Sequence, residues 1–221
     1  MKFFFKICLL ELLVTSIALA DYPKEHRGFY FSFGSGFSYY NAKYSETTSY
    51  QKEEHSFSGF SFVSMDFRFG RAIANAVALY ADFNLALPQG YLEATTYERN
   101  EKYADWSLYE DISTWKDVFS FSGGGGLGIE VYPCRYPRTF WRGIHFGNAI
   151  LLDYSISNIL NKDASFELIG LAWRTSSGLD WWVNDTWSIG IEVAQISQIW
   201  AQDVNDFTNQ KFQILFRITH R

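Results

Sequence analysis

The sequence predicts an all-β fold: a single antiparallel up-and-down β-barrel of about eight strands that crosses a membrane. Three observations carry this reading. Aromatic residues make up 19% of the 221 residues, yet the mean hydropathy is only −0.13, so apolar side chains are interleaved with polar ones. Alternation of period two, the strand period, recurs through most of the chain. The intervals between alternating segments are by turns short and long, as in a membrane barrel with tight turns at one rim and loops at the other.

The elements follow in order. Residues Met1–Ala20 read as a secretory signal peptide: Lys2 and Lys6 open it, Ile7–Val14 is its apolar stretch, and Ala18-Leu19-Ala20 is a cleavage signature. Residues 21–221 form the barrel domain. Segment one, 28–39, sets Phe29, Phe31, Phe33, Phe37 and Tyr39 against Tyr30, Ser32, Gly34, Gly36 and Ser38. Segment two, about 57–69, sets Val63, Met65, Phe67 and Phe69 against Ser64, Asp66 and Arg68; segment three, 76–87, sets Val77, Leu79, Phe83 and Leu85 against Tyr80, Asp82 and Asn84. Segment four, 118–132, opposes Leu127, Ile129 and Val131 to Gly124, Gly126 and Glu130. Segment five, 143–155, opposes Ile144, Phe146, Ile150 and Leu152 to His145, Gly147 and Asp153. Segment six, 166–181, is less regular, with Ile169, Leu171, Trp173, Leu179 and Trp181 opposite Gly170, Ala172, Arg174 and Asp180. Segments seven (186–196) and eight (211–221) place Ile189, Ile191, Val193, Phe212, Ile214 and Phe216 opposite Glu192, Gln213 and Arg217.

Period two does not say which face is inside. The apolar faces carry large residues, and the opposite faces carry Gly, Ala and Ser mixed with charges. An eight-stranded barrel is just wide enough for small side chains and a few paired charges, so the large residues fit better against lipid. The lumen set is then Asp66, Arg68, Asp82, Glu130, His145, Asp153, Arg174, Asp180, Glu192, Lys211 and Arg217, a paired network because buried charges need partners. Tyr132, Tyr136, Trp141, Trp181, Trp182 and Trp187 gather near the short turns and are expected to form an aromatic girdle. The longest link, 88–117, is a mixed acidic loop rich in Tyr and Trp, the expected place for an extracellular ligand.

In these features the chain resembles the small outer-membrane β-barrels of Gram-negative bacteria, of the OmpA/OmpX kind. The resemblance spans about Gly28–Arg221 and rests on architecture, with no specific motif. It implies a location in the outer membrane against lipid and lipopolysaccharide, long links outside and short turns in the periplasm. It also implies a non-enzymatic surface role as a monomer. The chain departs from the pattern in ending on Arg221 rather than on an aromatic residue.

Other functions are weighed against this. The net charge of −5 opposes general nucleic-acid binding. Gly123, Gly125 and Gly128 match a dinucleotide fingerprint in spacing, but alternation continues to Val131 where that motif needs a helix. His145-Phe146-Gly147-Asn148 and Ser155-Ile156-Ser157-Asn158 each match half of the His-x-Ser-Asn stretch of barrel lipid A deacylases, and the halves lie too far apart on one strand to combine. His26, His55 and His220 are scattered and Cys134 has no partner cysteine in the barrel domain, so no cofactor or metal is expected. A narrow channel for small or apolar solutes is the alternative function.

Overall fold

A computed structural model describes residues 28–47, 51–73, 76–100, 105–133, 143–157, 167–183, 186–202 and 206–220. The expected signal peptide, Cys134, Tyr136 and Trp141 lie outside these. Ten strands are present among the described residues: β1 (Gly28–Thr47), β2 (Gln51–Ile73), β3 (Val77–Ala86), β4 (Gln89–Asn100), β5 (Asp105–Phe119), β6 (Phe121–Val131), β7 (Ile144–Ile156), β8 (Glu167–Trp182), β9 (Trp187–Ala201) and β10 (Asp206–His220). Among the described residues no helix is long and apolar enough to cross a membrane.

The ring runs β1-β10-β9-β8-β7-β6-β3-β2, and a β1–β2 ladder closes it into an eight-stranded antiparallel barrel. The remaining pair, β4 and β5, lies outside the ring. It corrects the sequence reading, which expects 88–117 as a loop. β3 and β4 are parted only by Leu87 and Pro88, and β5 and β6 only by Ser120, so one long kinked hairpin rises above the ring. β2 has 23 residues because it serves both levels, pairing β3 through Ser64–Ile73 and β4 through Gln51–Phe60. A bulge at Phe62–Val63 marks the change of partner. There the Ser61 hydroxyl donates to the Val63 carbonyl (2.7 Å) and accepts from the amides of Val63 (3.2 Å) and Leu87 (3.1 Å).

The link expected over 40–56 is likewise mostly strand, because β1 and β2 stay paired from Tyr40↔Gly59 to Thr47↔Lys52. Alternation persists in this region, but the apolar face changes sides. Along β1, Phe29 to Tyr39 point outward, with Phe29 61% and Tyr39 44% exposed, whereas Tyr40, Ala42 and Tyr44 point inward and are buried. Tyr39 is in register with Phe60 and Phe212, which also face out, and the next outward residues above them are Ser58, Asn41 and Gln210. Above that line Tyr40, Phe57, Leu92, Val118 and Leu168 form an internal apolar cluster, with Trp115 and Phe207 packed against it. Water surrounds a chain that buries apolar groups, and lipid surrounds one that exposes them. The reversal marks the boundary between a band that exposes apolar side chains and a region that buries them. From Phe29 to Tyr39 a strand rising ~3.3 Å per residue at a tilt of ~40° climbs about 25 Å, the height of the apolar band of such barrels.

Glycine on β6 lets the small ring close. A Cβ on Gly126 would sit 1.9 Å from the Ile150 carbonyl oxygen of β7, a backbone atom with little room to yield. Gly126→Val is expected to lower the yield of folded barrel, read as loss of the heat-modifiable band on a gel, whereas Ile129→Val on the same strand leaves it.

Candidate functional site: the charged lumen

Inward positions of all eight ring strands meet in a narrow lumen. Arg68 on β2, Arg174 on β8 and Arg217 on β10 are among the largest fully buried side chains. Their positions on alternate residues aim them at acids from other strands. The Arg68 guanidinium reaches Asp66 (3.0 Å), Glu130 (2.6 Å) and both Glu192 oxygens (2.5 and 3.0 Å). It also lies 5.0 Å from the centre of the Tyr80 ring, a cation–π contact. Arg174 bonds Asp66, Asp82 (3.2 Å) and Glu192 (2.9 Å). Arg217 bonds Glu192, Glu130 (3.1 Å), the Tyr30 hydroxyl (2.9 Å) and the Ser32 hydroxyl (2.9 Å). Glu192 thus binds three guanidiniums at the centre of the lumen.

His145, Asp180 and Tyr132 lie toward the short-turn end. His145 has Nε2 3.3 Å from Glu192 and 2.6 Å from Arg217, with Nδ1 3.2 Å from the Gly143 carbonyl and 3.8 Å from Asp180. Toward the other end Lys211 donates to Asn84 (2.7 Å) and Ser122 (2.9 Å) and lies 3.8 Å from Asp153. Further on, Asn209 donates to Gln198 (2.7 Å), and the apolar cluster around Tyr40 and Phe57 follows. Along the lumen a layer of charge pairs is thus followed by a hydrophobic layer.

All eleven residues expected in the lumen are buried, and each has an ion pair or hydrogen bond within it. The lining is not wholly polar: Leu151 and Ile196 also point inward, beside Ala149 and Ala172. The expected girdle needs one correction. Tyr132 is buried, with its hydroxyl bonded to Glu130 and 3.4 Å from Asp180. It continues the inward face of β6 past Glu130, and its polar tip finds carboxylates there. Trp181 and Trp187 do face outward near the turn joining β8 and β9, each 39% exposed; the side chain of Trp182 lies outside the described residues.

The hydrolase halves do not combine. His145 begins β7 with its ring nitrogens on Gly143, Glu192 and Arg217, while Ser157 is buried just past the far end of that strand. The sequence reading missed one grouping: Glu130, His145 and Glu192 converge within 4.8 Å. They come from three strands, so no local spacing announces them. The guanidiniums of Arg68 and Arg217 already sit between the two glutamates, as a cation would.

No family model and no curated protein matches the chain. Among solved structures it is similar to Neisserial surface protein A (12% identity, 87% of this chain and 96% of that one, TM-score 0.47). It is also similar to Ail, the attachment invasion locus protein of Yersinia pestis, in complex with the heparin analogue sucrose octasulfate (10%, 90% and 100%, 0.42). A third is the outer membrane protein AlkL in DMPC lipid bilayers (11%, 91% and 93%, 0.43). These are small outer-membrane barrels, and the likeness is one of strand arrangement; the closed ring of this chain rests on its own pairings.

Proposed function

We propose that this chain is a bacterial outer-membrane β-barrel with a sealed lumen, and that it acts non-enzymatically through the sheet it raises above the bilayer. The observation that carries the reading is the change of sides of the apolar face at Tyr39 and Tyr40. Below it the outside is apolar and the inside charged; above it the inside is apolar and the outside mostly polar, with Tyr91 and Ile112 the exposed exceptions. A soluble barrel keeps its apolar face inward throughout its length. The emergent sheet of β10, β1, β2, β4 and β5 is then the part that meets the surroundings. Its polar outer face holds an open dish of ≈ 460 Å³ edged by Lys43, Glu54, Glu93, Thr95, Tyr97 and Asp206, and with the 88–117 hairpin this is where a ligand would be contacted.

The test is fractionation with gel mobility before and after heating, followed by planar-bilayer conductance. The protein is expected in the outer-membrane fraction with a heat-modifiable band and without discrete channels, because Arg68, Arg174 and Arg217 span the lumen. A soluble chain would overturn the barrel reading. Discrete single-channel steps would overturn the sealed lumen and favour a narrow transporter.

A further inference from the structure

The lipid-facing side of the barrel is not uniformly apolar. Asn148 of β7, Thr175 of β8 and Gln195 of β9 are consecutive partners across the sheet, Asn148↔Thr175 and Thr175↔Gln195; all three are on the outward side of their strands, Gln195 exposed, Thr175 half-buried and Asn148 buried. Ser177 and Ser197 flank them along their strands. From Gln195, which pairs with Phe212 of the Tyr39–Phe60–Phe212 line, the ladder runs deeper into the apolar band through Thr175 to Asn148. On β8 it has Trp173, Leu171 and Ile169 on one side and Leu179 and Trp181 on the other; on β9 Val193, Ile191 and Ile189 lead to it from the short-turn rim. Its neighbours Ile150, Val193, Phe212 and Ile214 are 43–55% exposed. This is the stretch where the alternation of segment six is least regular.

Part of the ladder is satisfied within the barrel. The Asn148 side-chain oxygen accepts from the Trp173 indole (3.0 Å) and the Thr175 hydroxyl (3.3 Å). Gln195 is exposed, and among the described residues its carboxamide makes one bond, Nε2 to the Ser197 hydroxyl (3.2 Å). Its oxygen and second N–H thus face hydrocarbon, which offers neither a donor nor an acceptor. A second polar side chain on the lipid side would supply both.

We propose that this face is a homodimer interface, with Gln195 opposite Gln195 of a second copy. The argument rests on the outer-membrane reading and on self-complementarity. The ladder is uncharged, and a carboxamide carries a donor and an acceptor, so two copies related by a two-fold axis along the membrane normal exchange N–H···O bonds reciprocally. Two copies inserted by one route share one orientation and present the ladder at one depth. Ser177 and Ser197 keep the surface low enough for the strands to approach, and hydroxyl and amide side chains hold interfaces within lipid. A charged partner would leave its charge unmatched here. The resemblance drawn from the sequence implies a monomer, and the dimer proposed here departs from it.

The test uses the full-length protein in outer membranes, in a Cys8→Ser, Cys134→Ser background. Gln195→Cys is compared with Phe83→Cys, which is outward and 52% exposed on β3, the strand opposite β9 in the ring. On oxidation, Gln195→Cys is expected to give a disulfide-linked dimer at several times the yield of Phe83→Cys. Gln195→Leu, in the chain with cysteines at neither site, is expected to lose the energy transfer between labelled copies that the wild type shows on lipid dilution, while its heat-modifiable band is unchanged. Equal cross-linking at both sites, none at Gln195→Cys, or energy transfer unaffected by Gln195→Leu would overturn the interface. Loss of the heat-modifiable band in the wild type would instead overturn the barrel reading on which it stands.

Discussion

Leu127→Arg is expected to destabilise the folded barrel by about 2–4 kcal/mol, measured as the denaturant midpoint in lipid vesicles, the cost of a cationic side chain at the bilayer midplane. Leu127 lies mid-strand on β6, between Ala81 of β3 and Ile150 of β7, and is 74% exposed. Removing a leucine so exposed costs almost no packing. In a protein surrounded by water the substitution would change stability by less than about half a kcal/mol, so the result separates lipid from water directly. Thr208→Arg supplies the control. Thr208 also faces outward, but it pairs with Lys43 above the Tyr39–Phe60–Phe212 line, where the outer face is polar. It is expected to have no measurable effect. Equal small effects at both sites would place Leu127 in water and remove the membrane reading.

Much of this fold is legible in the sequence because period two survives intact within the band below Tyr39, where one face of each strand carries large apolar residues and the other small and charged ones. Asp66, Arg68, Glu192 and Arg217 can be assigned inward from their place between outward Phe67, Ile191, Val193 and Phe216. What eluded the reading lies where the solvent changes. Tyr39 and Tyr40 are adjacent large residues, which blurs the alternation at the point where it reverses sign. The stretch beyond them then resembles a polar loop because its apolar residues, Ala42 and Tyr44, are few among Asn41, Lys43, Ser45, Glu46 and Thr47. The same holds for 89–97 and 112–119, where the buried apolar residues Leu92 and Val118 are few. Tyr132 illustrates a different limit. Its type suits a girdle, and only parity with Glu130 puts it in the lumen. Which arginine meets which acid depends on shear around the ring, so Glu192 as the hub could not be read from spacing along one strand.

Glu192→Gln is expected to cost the barrel about 3–5 kcal/mol, the loss found when one member of a buried ion cluster is removed and its partners stay charged. The side chain is fully buried and holds Arg68 (2.5 Å), Arg174 (2.9 Å), Arg217 and His145 (3.3 Å). The amide keeps the shape, so the change is electrostatic: three guanidiniums share Asp66, Asp82 and Glu130 with the central carboxylate gone. Asp153→Asn is expected to cost less, because Lys211 lies 3.8 Å from Asp153 and keeps closer bonds to Asn84 and Ser122. Adding Arg217→Met to Glu192→Gln is expected to recover part of the loss, since it removes a cation that no longer has its acid; residues in one network are not additive. The measurement bears on function as much as on stability. A lumen filled by water would screen these charges, and Glu192→Gln would then cost under about 1 kcal/mol, as exposed pairs do. That outcome would mean a solvated path past Arg68 and Arg217, and would move the protein from a sealed surface element toward a conducting one. The full loss, joined to an unchanged and silent conductance trace for the wild type, is what a lumen closed by its own charges requires.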